Sequence, residues 1–182
     1  MSKLSQAIAE GDGISFIVEV SDSAGAKSAE SQGADGLAVI TNANSVRMTS
    51  ALPLLHLGRL FDAQGSASDA VVIKPDLAMW DEGHSLGLEC VVRVRESVEL
   101  ERVLRHFDPE VFLLSVPEDA DEDPLAVLLE LLHDVPAGKL AIAELRDATR
   151  EDVAELERSG VDAVLVASGS LEPLIQAELP DV

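Results

Sequence analysis

The chain has no tyrosine, one tryptophan and one cysteine, and aromatic residues make up 3% of its 182 positions. A single cysteine cannot close an internal disulfide, and Cys90, inside the apolar run LECVV, reads as a small buried hydrophobe. No apolar run nears the roughly 20 residues that a membrane-spanning helix needs. The opening MSKLSQAIAEGDG has neither the apolar core nor the cleavage site of a secretory signal, so a cytoplasmic location is expected. Basic residues are also scarce, 13 against 34 acidic ones, for a formal charge of −21. Such a field repels phosphate backbones and anionic lipid, which argues against nucleic-acid and membrane partners. The four histidines show no HxH or HExxH spacing, and no metal or cofactor is expected. The acidic run from Glu118 to Asp123 meets Pro124 where a calcium loop needs glycine, and reads as a solvated loop.

What is present is apolar substance, 47% of the chain, enough for one core and one domain over residues 1–182. A local unit recurs in which a helix ends at a small residue, turns, and enters a short apolar strand. Gly33-Ala34-Asp35-Gly36 precedes LAVI, Ser68-Asp69-Ala70 precedes VVI, Asp108-Pro109-Glu110 precedes VFLL, and Gly160-Val161-Asp162-Ala163 precedes VLV. Near-continuous Val, Ile, Leu and Ala suit parallel strands buried on both faces. With FIVEV, LPLL, LECVVRV and KLAIAE, eight strands are predicted near 15–20, 36–41, 52–56, 70–74, 88–94, 111–115, 139–144 and 162–167. Helices are predicted at 24–32, 96–106, 123–133 and 149–158, the last with a capping-box start at Thr149 and Asp152. Eight alternating units define a compact (β/α)8, or TIM, barrel, with an open doubly wound sheet as the competing topology. The connector NANSVRMTSA is too short for a full packing helix, and RLFDAQGS and LAMWDEGHS allow about two turns each. Truncated helices leave strand faces bare, so a homo-oligomer is expected. Met79 and Trp80 are expected to cover a barrel end left open by them.

The order of strand-end signals resembles the indole-3-glycerol-phosphate synthase family. The stretches that carry the likeness are Val18-Glu19-Val20-Ser21, QGADGLAVIT, Leu52-Pro53-Leu54-Leu55-His56, VVRVRESVELERVL, Ala143-Glu144-Leu145-Arg146 and SGVDAVLVASGSL. The family counterparts are AEVK, GADA, PVL(R)KDF, VEVH with EEELERA, SESGI and GVDAVLVGEALM. The resemblance implies a ribulose-phosphate-binding barrel of tryptophan biosynthesis. Its lyase reaction couples decarboxylation and ring closure of an anthranilate-derived ribulose phosphate to loss of water. That chemistry needs a proton donor, carboxylates and a phosphate anchor. The resemblance assigns the catalytic carboxylates to Glu19 and Glu144. It assigns two lysines to positions that here hold Ser21 and, on or beside it, Leu57. Neither residue supplies an ammonium group, which counts against the synthase reaction. Arg93 stands where the family has a fifth-strand glutamate, and Ser115 near its sixth-strand asparagine.

The remaining candidates follow from strand-end position. Ser168, Gly169 and Ser170, after strand eight, offer N–H and hydroxyl donors to a phosphate, with a short helix from Leu171 behind them. Arg146 and Lys74 are candidate cations, and a guanidinium binds charge without acting as an acid near neutral pH. Of Arg93 and Arg95, one is expected to face inward and one outward. An inward Arg93 needs an acidic partner, Glu19 or Glu144, and Arg93 bridging both would leave a neutral network with no room for substrate. Two readings stand: a divergent synthase-like barrel, or a non-catalytic barrel that binds a phosphorylated metabolite or a protein.

Overall fold

The computed structural model describes residues 3–117, 120–169 and 171–175. Its strands are β1 (Ser15–Glu19), β2 (Gly36–Val39), β3 (Leu54–His56), β4 (Ala70–Ile73), β5 (Glu89–Val94), β6 (Val111–Leu114), β7 (Leu140–Glu144) and β8 (Ala163–Val166). All pair in parallel in sequence order, and β8 returns to β1, so the sheet closes. Every predicted strand is present, with ends within two residues of expectation, and closure excludes the open sheet.

Period-two alternation divides each strand between two cores. Ile17, Ala38, Leu55, Val72, Val91, Leu113, Ile142 and Leu165 fill the barrel interior. Val18, Leu37, Leu54, Val71, Val92, Phe112, Ala141 and Val164 pack outward beneath the helices. The seven-residue α1 (Lys3–Ala9) was not predicted. Its Leu4 and Ile8, one turn apart, join the interior cluster, and the backbone N–H of Ser5 donates to Glu89 at the start of β5. The N-terminal end of the barrel is therefore stopped by α1, not by Trp80. That ring sits in the outer core against His84 and Phe107, with centroids 4.4 and 5.5 Å away.

Helix length falls into two halves. On one side α6 (Ser97–His106), α7 (Pro124–His133) and α8 (Arg150–Ser159) have ten residues each, and Thr149 and Asp152 form the predicted capping box on α8. On the other, α3 (Ala43–Arg47) and α4 (Leu60–Ala63) have five and four. Only one turn follows β3, where about two were predicted. Between them α2 (Ser23–Ser31) and α5 (Leu77–Ser85) have nine each. Where α3 and α4 are short, polar contacts tie the chain. Arg47 donates to the carbonyls of Ala67 (3.1 Å) and Leu52 (2.9 Å) and pairs with Asp69, which accepts the Leu54 N–H at 3.0 Å. Met48 and Phe61, on this side, are 88% and 76% exposed.

Cys90 is buried under α5, and a Cβ on Gly83 would lie 2.4 Å from its sulfur, so only glycine lets this helix approach. Burial, assisted by the charge of Glu89, pushes the thiol from 9.0 up to about 11. Two pKa units leave about one-hundredth of the ordinary thiolate. Iodoacetamide is therefore expected to label the native protein at least about 100-fold more slowly than the urea-unfolded chain. Equal rates in a mass-spectrometric time course would refute this packing.

Candidate functional site

The charged mouth follows from the interior register. Two residues beyond each interior apolar position, the same face of the strand reaches the C-terminal end of the barrel. From Ile17 this is Glu19, from Leu55 Leu57, from Val91 Arg93, from Leu113 Ser115, and from Ile142 Glu144. The buried Ser115 hydroxyl donates to Glu144 Oε2 at 2.6 Å. Arg93 Nη2 lies 3.4 Å from the same oxygen. Arg146 Nη1 approaches Glu19 Oε2 at 2.5 Å and its Nη2 donates to Glu144 Oε1 at 3.2 Å. The bridge between the two glutamates is thus Arg146, while Arg93 meets Glu144 alone. Burial pulls the Arg93 guanidinium below its usual value, Glu144 pulls it up, and Arg95 and Arg146 push it down again.

The network does not fill the mouth. A cavity of about 750 Å³ remains, lined by Leu57, Arg93, Arg95, Glu144, Arg146 and Asp147 among others. A second, about 340 Å³, is lined by Glu19, Ser21, Thr41, Ala167 and Ser168. The Arg93 bridge that would have closed the mouth is not formed: Arg146 reaches Glu19 and Glu144 instead, from the rim, half its side chain in solvent. The expectation that Arg93 and Arg95 face opposite ways is also overturned. Residues two apart on a strand share a face, so both line the mouth and Val94 points into the outer core. Arg95 was missed as a site residue, and the signal that finds it is its register with Arg93.

The other candidates scatter. Lys74 is exposed beyond β4 and lines neither cavity. Ser168 and Gly169 are exposed, and Gly169 has a φ of 88°, the left-handed conformation that glycine adopts without strain. Ser170 lies outside the described residues. The helix after it, α9 (Leu171–Ile175), has five residues, too short a run to add much of a dipole. Of the acidic run, Glu118 and Asp119 are likewise outside the described residues, and Asp123 borders the larger cavity. Among the described residues no group of three or more His, Cys, Asp or Glu side chains could hold a metal, and no helix is long and apolar enough to cross a membrane.

A closed parallel eight-stranded ring, alternating with helices and carrying its charged side chains at the C-terminal strand ends, is a TIM barrel. Solved structures agree: an N-acetylmannosamine-6-phosphate 2-epimerase from Clostridium perfringens matches with a TM-score of 0.73 at 14% identity, over 87% of this chain and 88% of that one. A thiamine phosphate pyrophosphorylase from Pyrococcus furiosus matches at 0.71 and 15%, over 94% and 92%. These likenesses concern the fold alone.

No family model matches the chain. In sequence it is similar to indole-3-glycerol phosphate synthases, as a distant and divergent barrel of that kind. It is 32% identical to that of Variovorax paradoxus over 115 residues, 59% of this chain and 43% of the relative. For Geobacillus thermodenitrificans the figures are 28% over 168 residues, 78% and 64%. For Halalkalibacterium halodurans they are 24% over 179 residues, 85% and 68%. The chain spans 43% and 64% of the length of the first two.

Proposed function

We propose that this barrel binds a phosphorylated metabolite at its mouth without carrying out the synthase reaction. One observation carries the reading. Ser21 and Leu57, the positions where the family resemblance assigns lysines, each line a mouth cavity. The side chains that would protonate a carbonyl or a leaving hydroxyl are a serine and a leucine. The cations that line the larger cavity are arginines, which bind oxyanions and do not release protons near neutral pH. Glu19 and Glu144, the candidate catalytic carboxylates, are both engaged by Arg146, and Glu144 by Ser115 and Arg93 as well. The phosphate is assigned to the loop at Ser168 and Gly169, small exposed residues beside the second cavity, because the Ala167 N–H is already taken by the Arg146 carbonyl at 3.0 Å.

The purified protein, incubated at high concentration with the family's anthranilate-derived ribulose phosphate, is expected to give no indole glycerol phosphate above the buffer control. Ribulose and glycerol phosphates at about ten times their Kd are expected to raise the melting temperature by about 4 °C. Measurable turnover would overturn the first half of the reading. Absence of stabilisation by every sugar phosphate at millimolar concentration would overturn the second.

A further inference from the structure

We propose that Arg95, with Arg93 beside it, receives one carboxylate group of a small organic acid on the β5 side of the mouth. Charge counting within the network leads there. Arg93 and Arg146 are matched by Glu19 and Glu144, two cations to two anions joined by three ion pairs. Arg95 is the third guanidinium lining the cavity, and among the described residues it has no ion-pair partner. Of the two acids that follow it, Glu96 is exposed, and Glu99 accepts the backbone N–H of Arg95 at 2.8 Å without pairing with the guanidinium. Asp123 and Asp147 line the same cavity and pair with neither Arg93 nor Arg95.

The donors themselves are also incomplete. The Nε atoms of both Arg93 and Arg95 are buried without a hydrogen-bond partner. A buried N–H left unpaired costs about 1–3 kcal/mol, which favours a turn of the side chain that brings Nε to an acceptor held in the cavity. A carboxylate is the acceptor that fits. The planar guanidinium fork takes two coplanar oxygens, and a monoanion adds the least charge to the cavity. A dianionic phosphate would add twice that charge beside Glu144, Asp123, Asp147 and Asp152. About 750 Å³ is room for a molecule of metabolite size behind that carboxylate.

This site is separate from the loop after β8 and stands whether or not that loop takes phosphate. The test is an NMR titration of the full chain labelled at arginine Nε, with benzoate as the probe and inorganic phosphate as its competitor at equal ionic strength. Benzoate is expected to shift the Arg95 Nε–Hε signal saturably in the millimolar range, and phosphate to shift it less. R95Q is expected to weaken benzoate binding at least about tenfold, and R95K, which keeps the charge without the fork, to recover part of it. If R95Q does not fold, the wild-type titration decides alone. An Arg95 signal that ignores benzoate, a larger response to phosphate, or an R95Q variant that binds as wild type would each overturn the proposal. Sugar-phosphate melting shifts read the other loop, so the two sites fail separately.

Discussion

Replacing Asp69 with alanine is expected to lower the melting temperature by about 9 °C, through a loss of about 3 kcal/mol. Asp69 lies between the four-residue α4 and β4, on the side where α3 and α4 are short. Its carboxylate holds Arg47 and accepts the N–H that begins β3. Arg47 in turn ties down the carbonyls of Leu52 and Ala67. The two side chains are only 23% and 16% exposed, so truncating one leaves the other as a half-buried charge with no counter-ion. That penalty, more than the lost attraction, sets the size of the effect. R47M/D69A, which removes both charges, is expected to regain part of the loss. Circular-dichroism melts of the single and double variants check this, and a change below about 1 °C in D69A would refute the latch.

Glu144→Ala is expected to cost about as much, near 3 kcal/mol, measured by urea unfolding. Glu144 is the one carboxylate shared by Ser115, Arg93 and Arg146. Without it, Arg93 faces Arg95 and Arg146 with no ion-pair partner of its own, and the network keeps Glu19, which Arg146 holds. E144Q keeps an acceptor for Ser115 and is expected to lose less. Sulfate is expected to stabilise E144A more than the wild type, because an anion can occupy the vacated place among the arginines. Equal stability of E144A and wild type would show that the arginines do not need this counter-ion.

The fold was legible because a parallel strand buried on both faces is written as a short apolar block, and GADG and GVDA mark where such blocks begin. The overlooked α1 is seven residues whose apolar content is chiefly Leu4 and Ile8, a signal too short to separate from a loop. At the site, register alone brings Glu19, Arg93, Ser115 and Glu144 to one mouth, because interior position plus two is arithmetic. The role of Arg146 was not readable, since it depends on how far a long side chain bends back over the rim to Glu19 and Glu144. Arg95 was readable and was misread by one step of the pleat.

The β3–β4 junction has a consequence for handling the protein. β3 is three residues long and shares two register pairs with β4, against four at β4–β5, β5–β6, β6–β7 and β8–β1. A ring opens first where it is least stitched, and an opened ring acquires two free strand edges that a closed one lacks. Those edges, apolar and β-rich, template pairing with other chains. Heat damage then becomes a collision between molecules, and melts of the Asp69 variant report folding only at protein concentrations dilute enough to keep opened barrels apart.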